Sequence, residues 1–340
     1  MGVLGCRLPS GDLARLTPRL KHFAKSRHQP EVVTGYILRR LWQSVLVLFA
    51  VSLLSFVLIF LSGDPVAALV PLNARAEDMD NIRHQYNLDQ PILAQYVLFV
   101  AKAFSGDLGE SFRYRTAALP LVLGRLPTTL LLACASVLLS TAISLPLGVL
   151  AAARRGRLAD AVASSLALLA ISMPSFWLGV ILILLFAGGL RMLPASGSGT
   201  WQQLILPTIT ISAFSIGLLT RLVRRAVGET LRQPFVTTAR AKGLSERAIA
   251  WVHVLRNSAI PVVTVMGLQF GALVGGSVVV ETVFAWPGVG WLMIQSIEAR
   301  DLPVIRAAVL VLAMFIVLIN LAVDVLYTVL DPRIRLDTGR

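Results

Sequence analysis

Polar residues inside long apolar runs are the first candidates for function in this sequence. A lipid-facing amide or carboxylate would be costly, so such a side chain is expected to face the protein interior or a polar pathway. Gln269 is the clearest case, and we expect it to face a pathway. Glu281 ends the same run, where it could gate the pathway or simply sit in water. The candidate residues for such a pathway are Ser172, Met173, Pro174, Ser175, Gln269, Ser277 and Glu281.

No set of residues in the sequence has the spacing of a catalytic or metal site. There is no Gly-x-x-x-x-Gly-Lys-Ser/Thr phosphate loop, and no His/Asp/Glu cluster or nucleophile–base set falls at one membrane depth. Cys6 and Cys134 have no plausible partner for a disulfide or a metal. We therefore expect no catalytic residue, no metal and no cofactor bound by this chain.

The most informative stretch is residues 221–258, whose pattern predicts a compact helix–turn–helix. Small side chains precede Gly243, and glycine can adopt the positive φ of a residue that ends a helix. Ser245 can then cap a second helix, with Glu246 in its favourable first turn. Spacing alone leaves open whether this surface has a partner.

The composition indicates that much of the surface faces lipid. Of the 340 residues, 56% are hydrophobic and only 14% are charged, and the mean hydropathy is +0.75. Soluble domains carry about 25% charged residues. The net charge of +13 does not indicate nucleic-acid binding, because the Lys and Arg residues form short blocks between apolar runs.

Six apolar runs are long enough to cross a bilayer, which takes about 20 residues of helix. We therefore expect an all-α, polytopic membrane protein with spans near 41–61, 126–153, 161–190, 204–220, 259–280 and 307–330. The N-terminal tail, the second and fourth loops and the C-terminus hold 22 of the 31 Lys and Arg residues. This bias predicts that both termini are cytoplasmic.

The segments outside the spans carry further expectations. Residues 1–35 read as a basic, disordered cytoplasmic tail that touches anionic lipid. The external loop 62–124 is expected to contain short helices at 71–95 and 95–104. Asp324 is expected to pair with a nearby cation. Trp286 and Trp291 are expected to anchor an external re-entrant loop at the membrane interface.

Several motifs, in this order, make the sequence resemble the permeases of binding-protein-dependent ABC importers. They begin with Tyr36-Ile37-Leu38-Arg39-Arg40, Gly63-Asp64-Pro65, Leu88-Asp89-Gln90-Pro91 and Gly106-Asp107-Leu108-Gly109. They continue with Ala239-Arg240-Ala241-Lys242-Gly243-Leu244, Leu255-Arg256-Asn257, Phe284-Ala285-Trp286-Pro287-Gly288-Val289-Gly290, Arg300-Asp301-Leu302-Pro303-Val304 and Asp331-Pro332-Arg333-Ile334-Arg335. Thr237 and Thr238 replace the usual Glu and first Ala of the family's cytoplasmic EAA loop, as in its peptide/nickel branch. Residues 262–335 look most like dipeptide and glutathione permeases.

The resemblance implies a type I importer permease fold over residues 36–335, with cytoplasmic coupling helices in a loop at 221–258. The implied ATPase-coupling residues are Thr237, Thr238, Ala239, Arg240, Ala241, Lys242, Gly243, Leu244 and Ser245. The implied partners are a second homologous permease in a heterodimer, two ABC ATPases that bind ATP and Mg, and an extracytoplasmic substrate-binding protein. Membrane lipid is a further partner, and the implied location is the bacterial inner membrane.

Other functions stay open at this point. The cargo implied is a di- or oligopeptide, with glutathione as one example, and nickel or a metal–chelator complex is the alternative within the family. An ion- or proton-coupled secondary transporter is an alternative of another class. The sequence disfavours it, because no chain of carboxylates lies deep in the apolar runs. A membrane-embedded enzyme is disfavoured by the lack of a catalytic set.

Overall fold

The computed structural model describes residues 30–61 and 89–330, and these fold into helices. In chain order the helices are α1 (Pro30–Leu61), α2 (Ile92–Phe104), α3 (Ala118–Ala153), α4 (Leu158–Ser172), α5 (Ser175–Leu182), α6 (Trp201–Thr230), α7 (Pro234–Ala241), α8 (Leu255–Val283), α9 (Val289–Glu298) and α10 (Leu302–Leu330). A π-helical turn, Ile183–Gly189, extends α5. Another, Ile249–Val254, leads into α8. The expected all-α class is confirmed.

Five helices are long and apolar enough to cross a membrane, and α4 with α5 makes a sixth if the pair counts as one span. The third expected span, 161–190, corresponds to this pair, and it is broken within the expected range. α4 and α5 meet at a bend of 102°. Met173 is extended (ψ 124°), as a residue before proline prefers, and Pro174 cannot continue the hydrogen-bond ladder of α4.

The pair α3 and α6 forms the most extensive helix contact among the described residues. Small residues recur at every fourth position of α3 and are buried, namely Ser136, Ser140, Ser144 and Gly148. At Gly148 the two helices meet so closely that a Cβ would lie 2.6 Å from the Cβ of Val223 on α6. Small side chains allow this approach, which lets dispersion contacts hold helices together in lipid.

α6 lies at the centre of the bundle. In the most apolar 18-residue stretch of α6, 56% of the residues are buried, whereas the corresponding share in the other four long spans is 28% or less. α6 also packs on α4, where Gly217 faces the backbone of Ala167 and the side chain of Ile171. Asp160 at the start of α4 accepts two hydrogen bonds from the Arg224 guanidinium, at 2.6 and 2.9 Å. α4 and α6 are therefore fixed to each other at two levels.

The first span lies at the edge of the bundle. Many of the large apolar side chains of α1 are exposed, and α1 packs chiefly along α10. The expected pairing of Asp324 is confirmed, since its carboxylate lies 3.2 Å from the Arg40 guanidinium. The aromatic ring of Phe56 packs against Tyr96 of α2, with ring centroids 5.4 Å apart.

The outer segments are described only in part. The short helix expected at 95–104 lies within Ile92–Phe104. Most of the helix expected at 71–95, most of the tail 1–35, and the motif 331–335 lie outside the described residues.

Gly217 offers a test of the α4–α6 packing. We expect Gly217→Ala to destabilise the fold by about 1–3 kcal/mol, the usual cost of overpacking. The reason is that the added Cβ would meet Ile171 Cγ1 at 2.6 Å as well as the Ala167 carbonyl oxygen. The measurement is the thermal unfolding of the purified protein in detergent.

Gly228→Ala in the same helix is the matched control. No heavy atom lies within 4 Å of a Cβ at Gly228, so the gain in helix propensity acts alone. Its melting temperature should stay level or rise. Equal melting temperatures for the two variants would contradict the packing described here.

Candidate functional site

The segment 231–254, called here the Gly243 segment, joins α6 to α8. α7 ends in a Schellman motif, in which Gly243 N–H donates to the Arg240 carbonyl (2.9 Å) and Leu244 N–H donates to the Ala239 carbonyl (3.3 Å). Gly243 has φ +76°, a conformation that costs other residues strain. The predicted helix stop at Gly243 is confirmed.

The chain restarts as a helix directly after this turn. Ser245 Oγ accepts a hydrogen bond from Ala248 N–H at 3.3 Å, which confirms the predicted cap. Glu246 was assigned only to the first turn, but it also accepts two hydrogen bonds from Arg240, at 2.6 and 3.0 Å. The Arg240 guanidinium holds the pKa of Glu246 below its usual range, and the carboxylate raises the pKa of Arg240. Cap, turn and ion pair make the Gly243 segment compact.

Val236 and Ala239 pack α7 against the bundle. Val236 is fully buried and belongs to an apolar cluster with residues from α3, α6 and the π-helical turn. The other members of this cluster are Val149, Ala152, Val223, Val227, Ile249, Ala250, Val254 and Val262. The end of α6 is also bonded to the start of α8, because the Thr230 and Ser258 hydroxyl oxygens lie 2.8 Å apart. A displacement of α7 would therefore reach three spans directly.

The rest of the Gly243 segment is a surface. Of the nine residues implied in coupling, Ala239 is half-buried and the other eight are exposed: Thr237, Thr238, Arg240, Ala241, Lys242, Gly243, Leu244 and Ser245. Large apolar side chains are exposed beside them, and three of these were not among the expected residues: Phe235, Trp251 and Val252. The turn Ser245–Ala248 and the side chains of Trp251 and Val252 border a shallow cavity of about 390 Å³. In the sequence, only the apolar character of Phe235, Trp251 and Val252 beside the Gly243 motif indicated that they belong to this surface.

The predicted pathway residues lie in three separate places. Ser172, Met173, Pro174 and Ser175 form the bend between α4 and α5. Gln269 on α8 donates to Ser215 Oγ on α6, at 3.0 Å. Ser277 and Glu281 lie together, with Ser277 Oγ 3.0 Å from the carboxylate. The assignment of these residues to a pathway stays a prediction.

Glu281 is fully buried, so the interpretation in which it sits in water is wrong. Its carboxylate accepts hydrogen bonds from Thr129 Oγ1 at 2.8 Å, from Ser277 Oγ at 3.0 Å and from Trp291 N–H at 3.1 Å. Thr129 Oγ1 in turn accepts from Val289 N–H at 2.8 Å. The carboxylate thus ties α8 to α3 and to the start of α9.

The loop 284–288, called here the Trp286 loop, packs over this carboxylate. A Cβ at Gly288 or Gly290 would collide with the Glu281 carboxyl group, so both positions require glycine. Trp286 is 1% exposed, and its Nε1–H donates to the Thr128 carbonyl at 3.0 Å. The expectation that Trp286 anchors the loop at the membrane interface is therefore wrong. Trp291 is half-buried, and the Arg125 guanidinium lies 6.0 Å from its ring centroid.

Asp301 holds a second loop on the same side of the bundle. Its buried carboxylate accepts hydrogen bonds from Ser111 Oγ, from Phe112 N–H at 3.1 Å and from Arg113 N–H at 3.3 Å. The sequence motif around Asp301 was noted without a role, because its partners lie 188 to 190 positions away in the chain.

Thr129 offers a test of the Glu281 contacts. We expect Thr129→Val to leave two buried polar groups, the carboxylate and Val289 N–H, each short of a partner. The cost should be about 1–3 kcal/mol per group, and the Trp286 loop should exchange its amide hydrogens faster. The measurements are thermal unfolding and hydrogen exchange over residues 284–291.

Thr141→Val is the control for this change. Thr141 lies on the same helix, and its hydroxyl makes a local bond to the Val137 carbonyl at 2.7 Å. Unchanged exchange at the Trp286 loop in Thr129→Val, or equal exchange in the two variants, would contradict the role given to Thr129.

Comparison with known proteins places these features in one family. Residues 144–336 match the family described as "Binding-protein-dependent transport system inner membrane component", and residues 33–133 match its N-terminal counterpart. The chain belongs to this family. It is a permease of an ABC importer, and the family works with ATPase and binding-protein partners. Membership does not favour the nickel or secondary-transporter alternatives.

The chain is similar along most of its length to curated relatives. It is 40% identical over 302 residues to the glutathione transport system permease protein GsiC of Escherichia coli K12, and equally to that of Shigella dysenteriae serotype 1. The match covers 88% of this chain and 99% of each relative. A solved inward-facing structure of the MetNI methionine ABC transporter has the same fold over 62% of this chain and 96% of its own, with 21% identity and a TM-score of 0.50.

Proposed function

We propose that this permease imports small peptides, with glutathione as the first candidate, and that separate ATPase subunits drive it through the Gly243 segment. One observation carries the proposal: the Gly243 segment is compact, exposed on its outer side and fixed to the bundle by Val236. Such a surface suits a partner that pushes on it, because a force on α7 is not lost in a flexible loop.

The ATPases would supply the energy, since the sequence lacks a phosphate loop. In this scheme ATP and Mg stay on the ATPases, and the chain itself binds no cofactor and has no enzymatic activity. The full assembly contains a second homologous permease, two ATPases and an extracytoplasmic binding protein. Both termini and the Gly243 segment then lie in the cytoplasm, as the distribution of Lys and Arg residues favours.

The contacts around α7 suggest how its movement reaches the pathway. Val236 packs with Val227 of α6 and with Ile249, which leads into α8. The Thr230–Ser258 contact couples the facing ends of these two helices, and Asp160–Arg224 extends the unit to α4. Closure of the ATPases would therefore tilt α4, α6 and α8 together and alternate the pathway between its inward-facing and outward-facing states.

The cargo assignment rests on the relatives. At 40% identity over 88% of the chain, the glutathione permeases support a peptide-like substrate. We expect vesicles that contain the assembled transporter, its binding protein and internal ATP to accumulate labelled glutathione or a dipeptide. Accumulation without ATP would contradict the importer mechanism. ATP-dependent accumulation of nickel alone would contradict the peptide assignment.

Gly243→Leu tests the coupling role. The variant should still hydrolyse ATP within the assembled transporter, but uptake per ATP should fall by about 5- to 150-fold, the range of typical coupling energies. A leucine at φ +76° strains α7's end and adds bulk to the exposed turn. Uptake and hydrolysis are measured in the same vesicles.

Gly156→Leu is a closely matched control. Gly156 has the same φ of +76°, and open space surrounds it as it surrounds Gly243. It lies in the turn between α3 and α4, outside the Gly243 segment. Normal uptake per ATP in Gly243→Leu, or the same loss in both variants, would contradict the coupling role of this segment.

A further inference from the structure

A groove of about 650 Å³ opens beside the C-terminal end of α6, which leads into the Gly243 segment. The groove lies between this helix and the end of α3. Its lining contains five arginines: Arg155, Arg221, Arg224, Arg225 and Arg232. Two of them, Arg221 and Arg225, lie with Gly228 along one face of α6 at helical spacing, and Arg232 follows just after the helix ends at Thr230. Among these arginines, the proposed coupling role uses Arg224 through its pair with Asp160, and it assigns no ligand to the groove.

The positive charge of the groove is only partly neutralised. Arg224 pairs with Asp160, and Arg225 pairs with Glu229 at 3.0 Å. Within residues 30–61 and 89–330, no carboxylate forms an ion pair with the remaining three: Arg155, Arg221 and Arg232. Five guanidinium groups thus face two carboxylates, which leaves a site suited to an anion.

Apart from Glu229, which pairs with Arg225, the rest of the lining is apolar. Ala152, Leu218 and Leu222 form most of it. Gly228 leaves the middle of the groove open, because no heavy atom lies within 4 Å of a Cβ placed there. Leu218 and Leu222 also belong to the membrane-spanning helix α6. The groove therefore runs from an arginine-rich end into the apolar zone.

We propose that this groove binds one anionic phospholipid of the membrane leaflet on the Gly243 side, with its phosphate among Arg155, Arg221 and Arg232. A basic pocket between membrane helices at this level is suited to an anionic headgroup. Guanidinium groups bind phosphate oxygens in pairs, and the apolar lining accepts the start of an acyl chain. A free anion would leave that apolar lining in contact with water. An acidic protein segment would likewise leave the apolar lining uncovered.

The site does not depend on the identity of the cargo. It depends on the membrane position of α6, and the orientation proposed above places it in the cytoplasmic leaflet. A bound lipid here would sit against the Val236 cluster, since Ala152 belongs to both the groove and that cluster. Lipid composition would then influence how firmly the Gly243 segment is held.

The experiment measures lipid that stays with the purified transporter, assembled with its partner subunits, by native mass spectrometry. The transporter is first equilibrated in nanodiscs of phosphatidylglycerol mixed with phosphatidylcholine. We expect one phosphatidylglycerol per copy of this chain to be retained. The triple variant Arg155→Gln, Arg221→Gln, Arg232→Gln should retain it on the order of 100-fold less well, since each arginine near an anionic surface contributes roughly a fivefold factor.

Two further variants separate the groove from general surface charge. The control Arg39→Gln, Arg154→Gln, Arg157→Gln removes three exposed charges from the same side of the bundle but outside the groove lining, and should retain the lipid. Gly228→Leu fills the groove without changing charge and should lose the lipid. Retention in Gly228→Leu, or equal loss in the two triple variants, would overturn the proposal.

Two competing occupants have their own readouts. Inorganic phosphate should not displace the retained lipid. In detergent, phosphate should raise the melting temperature of the wild-type transporter no more than that of the triple variant Arg155→Gln, Arg221→Gln, Arg232→Gln. Stabilisation by phosphate that depends on the three arginines would replace the lipid with a free anion. A cysteine at position 228 that crosslinks to a partner subunit in the assembled transporter would show that protein fills the groove, which also overturns the proposal.

Discussion

The close approach of α3 and α6 is the contact on which the rest of the structure depends. Serines and a glycine recur at every fourth position of α3, and at Gly148 the two backbones meet closely. The hydroxyls of Ser136 and Ser140 bond within their own helix, to the carbonyls of Leu132 and Val137 at 2.8 and 3.0 Å. In lipid, where helices gain little from excluding water, such close packing is the main attraction available. Larger side chains on α3 would move α6 outwards and displace everything that packs on it.

α3 also links the two ends of the molecule. Thr129 near its start holds Glu281 and the Trp286 loop, whereas Val149 and Ala152 near its end hold the cluster that contains Val236. About 20 residues of helix separate these points, or roughly 30 Å at 1.5 Å per residue. The loop on one side and the Gly243 segment on the other thus both pack against one continuous helix, α3.

The sequence predicted the features that local chemistry decides. The stop at Gly243 and the cap at Ser245 followed from neighbouring residues, and both hold in the structure. The prediction for Trp286 was wrong because an aromatic residue near the end of a span can lie either at the membrane interface or in the protein core. Its contact with Thr128, 158 positions away, decides for the core.

The same limit applies to charged residues. Asp160 and Arg224 lie 64 positions apart, and Glu281 accepts hydrogen bonds from donors on two other helices, so no local pattern marks either site. The bend at Pro174 was visible as a proline, but its angle is set by where α5 packs. There Gly179 lies against Phe284, and a Cβ added at Gly179 would lie 3.1 Å from the Phe284 ring. The sequence therefore predicts the elements well, and the contacts between distant elements poorly.

The π-helical turn at Ile249–Val254 has a geometric consequence for the two ends of α8. A π-turn accommodates one residue more than an α-helix of the same length, so the extra residue is absorbed within the turn. If the same residues formed a regular α-helix, one part would turn by about 100° against the other. The buried faces of Ile249 and Val254 could then no longer meet Val236 while Ser277 and Glu281 kept their contacts. The π-turn thus reconciles the direction in which the Gly243 segment must face with the direction in which the far end of α8 must face.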